Sequence, residues 1–171
     1  ALEGLRQFAD QRILLINADG GSSDGTTHHV AEAKVSPNIT KLVTLYEGLR
    51  GKGSAIRAIL EAAAMTRARA CLILEARIPG ITPQWVPALL QPVLSGEREI
   101  ALAWYQRNAY DSALSANLVY PLMRVLLGGD VREPLCGEFA MSGNLAADLL
   151  GRDVWETDVS RFGINAWLAT L

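Results

Sequence analysis

Apolar residues come in short runs broken by clusters of Gly, Asp, Ser and Pro. Ile13-Leu14-Leu15-Ile16, Lys41-Leu42-Val43-Thr44-Leu45-Tyr46, Ala70-Cys71-Leu72-Ile73-Leu74 and the segment Glu99 to Tyr105 are rich in branched or aromatic side chains. Runs of that length predict strands near 12–18, 41–46, 70–75 and 99–105. Between them the spacing of apolar positions changes to that of a helix. Residues 54–67 place Ile56, Ile59, Leu60 and Ala63 on one face, and Thr82-Pro83 supplies an N-cap and a first-turn proline for a helix to about Val93 or Leu94. Further helices are expected from about Thr26 to Ala33, from Asp111 or Ser112 to a stop at Gly128-Gly129 with a kink at Pro121, and from near Ser142. A final helix spans about Val159 to Leu171, interrupted at Phe162-Gly163, and Leu2, Leu5 and Phe8 predict a short amphipathic helix over Ala1 to Ala9.

This alternation predicts one α/β domain over residues 1–171, a Rossmann-like layered sandwich with a mostly parallel central sheet and helices on both faces. Right-handed crossovers then bring the loops 19–26, 47–53, 75–80 and 105–111 to one sheet edge, where open α/β sheets bind ligands. No internal repeat, low-complexity tract or linker divides the chain.

Composition narrows the partners. A net charge of −2 with no basic stripe gives no footprint for nucleic acid or a membrane surface. No run of about 18 apolar residues is present to span a bilayer, and the first residues lack a basic-then-apolar signal, so a cytoplasmic location is expected. Cys71 and Cys136 have neither CxxC spacing nor a nearby His pair and are expected to be reduced structural thiols. His28 and His29 are adjacent, so on a helix they point about 100° apart and are expected in solvent rather than on one ion.

The loops carry the candidate chemistry. Asp19-Gly20-Gly21-Ser22-Ser23-Asp24-Gly25-Thr26 follows a buried strand and combines carboxylates, hydroxyls and glycines that allow close backbone approach. It reads either as a ligand loop or as an Asx-rich turn with a capped helix. Glu47 to Gly53 is basic and Gly-rich, and Lys52 stands at a helix N-terminus whose free N–H groups suit phosphate; a flexible, solvated turn is the alternative. The spacing is not that of a P-loop. Glu138, beside a glycine after the constrained Pro134 turn, can be aimed at a pocket or can cap the helix near Ser142. Thr157 and Asp158 read as the N-cap of the last helix, with a pocket-facing Asp158 as the alternative.

Four blocks stand in order along the chain: Ile16 to Thr26, Gly51-Lys52-Gly53-Ser54-Ala55, Pro134-Leu135-Cys136-Gly137-Glu138-Phe139 and Arg161-Phe162-Gly163-Ile164. Together they resemble the GT-A glycosyltransferases of the family-2-like kind, closest to the glucosyl-3-phosphoglycerate synthase and mannosylglycerate synthase type. The resemblance implies the GT-A fold, a nucleoside diphosphate sugar as donor, a small or glycerate-like acceptor, and retention at the anomeric carbon. It places Asp19, Gly21, Ser22, Asp24, Lys52, Glu75 and Arg77 at the nucleotide, Arg107 and Arg161 at the acceptor, and Glu138 and Asn165 at the reacting centre. It also implies that the family's first strand and its C-terminal extension with a metal-binding His are missing.

Two positions depart from the pattern. Glu75-Ala76-Arg77 stands where such enzymes carry Asp-x-Asp, whose last carboxylate holds Mg²⁺ or Mn²⁺. Arg77 offers donors where a cation needs oxygens, leaving Glu75 as the candidate metal carboxylate and the guanidinium as an alternative partner for diphosphate. Asn165 stands where relatives carry an acid, and an amide takes up no proton near neutral pH. The expected function is glycosyl transfer; the alternatives are a non-catalytic nucleotide-sugar-binding domain and a nucleotidyltransferase. Self-association as a homodimer stays open.

Overall fold

A computed structural model describes residues 1–46, 49–76, 78, 80–106 and 113–171. Five strands and six α-helices follow in the order β1 (Ile13–Asp19), α1 (Thr26–Glu32), β2 (Ile39–Leu45), α2 (Lys52–Met65), β3 (Ala70–Ile73), α3 (Trp85–Leu94), β4 (Ile100–Leu102), α4 (Tyr120–Leu127), β5 (Phe139–Ser142), α5 (Gly143–Leu150) and α6 (Ile164–Leu168) among the described residues. Short 3-10 turns precede β1 at Gly4–Phe8 and α6 at Asp158–Ser160. The amphipathic N-terminal pattern therefore closes as a 3-10 turn, which packs on α3. Among the described residues no helix is long and apolar enough to cross a membrane.

The sheet departs from expectation. β1 and β2 pair in parallel from Ile13↔Ile39 to Asp19↔Leu45. A separate three-stranded sheet has the order β3-β5-β4, and β5 runs antiparallel to both neighbours. The sheet is thus only partly parallel, because Phe139 to Ser142, expected as loop leading into helix, forms the central strand. Three buried apolar residues and a serine carry no period-2 signal, and only the flanking strands can turn them into a ladder.

Alternation within that sheet builds two packed layers. Cys71, Ile73, Ile100, Leu102, Phe139 and Met141 face a core closed by Ile56 and Leu60 of α2, Leu149 of α5 and Ile164 and Leu168 of α6. The opposite face carries Ala70, Leu72, Ala101 and Ala140, and these mostly small side chains let Leu89 and Val93 of α3 pack close. Helix α2 also touches β1, which joins the two sheets through one helix. Ser142 leaves β5 and at once caps α5, accepting the Leu145 N–H at 3.1 Å. The expected single helix before Gly128 is a π-helical turn, Ser115–Val119, running into α4, so Pro121 lies in the first turn of α4 and not at a kink inside a longer helix.

Candidate functional site

The strands stand in two sheets and not along the single edge expected, and within the larger sheet the topology brings the ends of β3 and β4 to the start of β5. Because β5 is antiparallel to β3 and β4, with Ile73 and Leu102 both opposite Phe139, residues after β3 and β4 sit beside those just before β5. Ala103 N–H donates to the Glu138 carbonyl at 3.0 Å. Glu138 is therefore held between Glu75 and Tyr105 by strand register.

Asp19, at the end of β1, is buried and turned into its own loop. Its Oδ2 accepts the N–H groups of Gly21 at 2.9 Å and Ser22 at 2.8 Å, and its Oδ1 accepts the Ser22 hydroxyl at 2.5 Å. These bonds, the Ser22 hydroxyl first, hold the carboxyl below the usual range. Gly21 and Gly25 take the left-handed φ values of 93° and 80° that the turn requires. Asp24 Oδ1 accepts the Thr26 N–H at 3.0 Å and its hydroxyl at 2.6 Å, fixing the start of α1. Asp19 and Asp24 thus shape the loop, and residues 21–25 form its exposed edge.

Tyr46 ties this loop to the next. Its N–H donates to the Asp19 carbonyl at 3.1 Å, its hydroxyl lies 2.6 Å from where a Cβ on Gly20 would stand, and it exchanges hydrogen bonds with the backbone of Gly51. Arg50 puts its guanidinium 3.4 Å from the Cβ position of Gly21. The two loops are on the same side of the molecule.

The N-terminus of α2, read from sequence as a phosphate loop or a solvated turn, packs against the 159–161 turn. Gly53 N–H donates to the Arg161 carbonyl at 3.2 Å, and Ser54 Oγ donates to the Ser160 carbonyl at 3.3 Å. A Cβ on Gly51 would stand 2.6 Å from Arg161 Cα. Both glycines of Gly51-Lys52-Gly53 admit the 159–161 turn rather than a phosphate, which leaves Lys52 as the chemical group of the segment.

Lys52 Nζ makes an ion pair with Glu75 Oε1. A Cβ on Gly137 would stand 2.5 Å from that nitrogen and 2.6 Å from that oxygen, so the pair rests directly on the Gly137 main chain. Glu138 follows, fully buried. One of its oxygens accepts the Tyr105 hydroxyl, and the other, Oε1, has no hydrogen-bond partner. Burial raises its carboxyl above the usual range, and the Glu75 charge adds to this. It does not cap α5; Ser142 does. Burial likewise raises Cys71 to about 12 and Cys136 to about 11, and both thiols are free.

Tyr105 also lines an open groove of ≈ 400 Å³ with Trp85, Trp104, Leu89 and Leu102, the Trp85 and Tyr105 rings lying 5.6 Å apart. Asn165 donates to the Leu135 carbonyl at 3.2 Å, fastening α6 to the 134–138 loop, and its buried Oδ1 has no partner. Arg161 is exposed in a separate hollow of ≈ 330 Å³ with Leu49, Glu156, Thr157 and Asp158. Arg77 and Arg107, and the helix cap at Asp111 or Ser112, lie outside the described residues. Tyr46 and Tyr105 are the members of the site that sequence reading passed over. The available signal was a phenol at the carboxyl end of a strand.

Glu75 and Glu138 are the two carboxylates that meet here, one already paired with an ammonium and the other with a phenol. Among the described residues no group of three His, Cys, Asp or Glu could hold a metal ion. These residues do not fit an oxygen-ligated divalent cation, which needs several free oxygens.

No family model matches the chain, and no curated protein sequence does. Solved structures do. Glucosyl-3-phosphoglycerate synthase from Mycobacterium tuberculosis in complex with phosphoglyceric acid is 21% identical over 90% of this chain and 56% of its own, with a TM-score of 0.58. The same enzyme with Mn²⁺, uridine-diphosphate and glucosyl-3-phosphoglycerate is 24% identical over 84% and 52%, with a TM-score of 0.58. With Mn²⁺, uridine-diphosphate-glucose and phosphoglyceric acid it is 23% identical over 89% and 56%, with a TM-score of 0.60. The chain is similar to these proteins in fold, the GT-A fold that its motifs resemble, and spans about half their length.

Proposed function

We propose that this chain is a glycosyltransferase that moves a sugar from a nucleoside diphosphate sugar to a small or glycerate-like acceptor. The supporting observation is the run of polar groups from the ends of β1 and β2, through the start of α2, to the β3-β5-β4 sheet: the Asp19–Ser22 loop, Tyr46, the Lys52–Glu75 pair and the buried Glu138–Tyr105 pair. Uridine-diphosphate-glucose and phosphoglyceric acid are the first substrates to test, since the matched structures hold them. In this reading Gly21, Ser22 and Asp24 border the nucleotide and Lys52 meets the diphosphate. The free Oε1 of Glu138 accepts a hydrogen bond from a sugar or acceptor hydroxyl. Asn165 keeps the 134–138 loop in place, while Arg107 and Arg161 serve the acceptor. Rate comes from positioning and from a fixed positive charge beside the leaving diphosphate.

A binding-only role is the second reading, favoured by the Asn165 amide, which is tied to Leu135 where relatives carry an acid. Calorimetric titration of uridine- and guanosine-diphosphate sugars, followed by mass spectrometry of mixtures with 3-phosphoglycerate, separates the two. Binding with product formation supports transfer, and binding without product supports the second reading. No binding of any nucleotide overturns both.

A further inference from the structure

Lys52 stands in the site as a largely buried, paired charge and not as a solvated one. Its side chain is only 20% exposed, its ammonium is paired with Glu75, and the missing side chain of Gly137 makes the space in which the pair sits. Any other residue at 137 would put a Cβ into the ammonium. The next residue, Glu138, feels the charges of both Lys52 and Glu75 and keeps a fully buried oxygen without a donor. The carboxylates that meet here are thus served by an ammonium, and among the described residues no third ligand joins them. A divalent ion would have to displace the lysine from Glu75 and then stand beside its repelled charge.

We propose that Lys52 is the resident cation of this site, standing in for the Mn²⁺ that accompanies uridine-diphosphate in the matched structures, so that this chain binds a nucleoside diphosphate without a divalent metal. The inference rests on the donor-binding reading above. An arriving diphosphate shares the ammonium with Glu75, and two oxygens of one phosphate can take the remaining ammonium protons. Glu75 then acts as a competitor of the ligand, holding Lys52 in place while the site is empty.

The test is calorimetric titration with uridine-diphosphate in EDTA and in millimolar MnCl₂, with Mn²⁺ binding followed separately by electron paramagnetic resonance. Expected for the unaltered chain are dissociation constants that agree within about two-fold in the two buffers, and no Mn²⁺ binding in the millimolar range. Lys52→Ala should weaken binding in EDTA about ten-fold or more, with Lys52→Arg retaining much of the affinity. Glu75→Gln should tighten binding in EDTA, the opposite of what loss of a metal ligand would do. Affinity that rises ten-fold or more with Mn²⁺, or a Glu75→Gln variant that loses Mn²⁺-dependent binding, overturns the inference and leaves the donor reading standing. Absence of binding in both buffers overturns the donor reading itself and the inference with it. The comparison of buffers on the unaltered chain decides even where a variant fails to fold.

Discussion

Glu138 carries a buried carboxyl with one oxygen given to Tyr105 and the other unpartnered. Its folded-state pKa lies above the ordinary 4.5, so the stability it contributes is fully present below that value and is lost as pH rises through the raised one. Glu138→Gln keeps the shape and an acceptor for Tyr105 but removes the charge. We expect it to be more stable than the parent at neutral pH by about 1 kcal/mol and to flatten this limb of the pH profile, measured by urea unfolding across pH. The same change should reduce sugar transfer, because the neutral amide no longer offers a charged acceptor to a substrate hydroxyl. Asp19 behaves in the opposite sense. Its lowered pKa gives stability that is present above the ordinary 3.8 and is lost as pH falls through the folded value. Asp19→Ala releases Gly21 and Ser22, and uridine-diphosphate affinity should fall by about ten-fold in titration.

Two glycines at the ends of elements separate a folding role from a site role. Gly53, in the first turn of α2, lies against backbone atoms of Val159 and Ser160, which cannot yield without moving the 158–161 turn. Gly53→Ala should cost about 2–3 kcal/mol in chemical denaturation, the scale of overpacking a closed contact. Gly137, before β5, faces only the ends of the Lys52 and Glu75 side chains. Gly137→Ala should cost less than about 1 kcal/mol, since flexible side-chain ends can move aside, while weakening nucleotide binding measurably. The contrast also marks what sequence could disclose. The apolar runs over 13–16 and 70–74 announced β1 and β3, and Ser142 announced the start of α5. The acidic, lysine and glycine residues of the loops were visible as chemistry. Hidden was every relation fixed by register. β5 is a four-residue stretch, three of it apolar, whose strand character comes from partners far along the chain, so neither the antiparallel sheet nor the meeting of Glu138 with Tyr105 could be read locally. The glycines of Gly51-Lys52-Gly53 suggested an anion loop, and only the tertiary contact with 159–161 shows why they are glycine.

For the molecule as a whole, stability is concentrated in the layer between the β3-β5-β4 sheet and the pair α2 and α5. Leu60 and Leu149 are fully buried there, and Trp155 closes the rim with its indole N–H donating to the Leu149 carbonyl at 3.1 Å. Leu149→Ala or Leu60→Ala should each cost about 3 kcal/mol in denaturant unfolding. Around α4, Leu122, Val125 and Leu126 are exposed, so Val125→Lys should alter stability by no more than about 0.5 kcal/mol.

The strand that unites the larger sheet is the last to be made. While the chain leaves the ribosome, β3 and β4 emerge with the edges that will face β5 still bare, and they must wait until residue 142 is clear of the exit tunnel. During that interval a nascent polypeptide of this sequence offers two apolar ladders to any neighbour, and chaperone demand should peak there, ending abruptly once Phe139 to Ser142 have emerged.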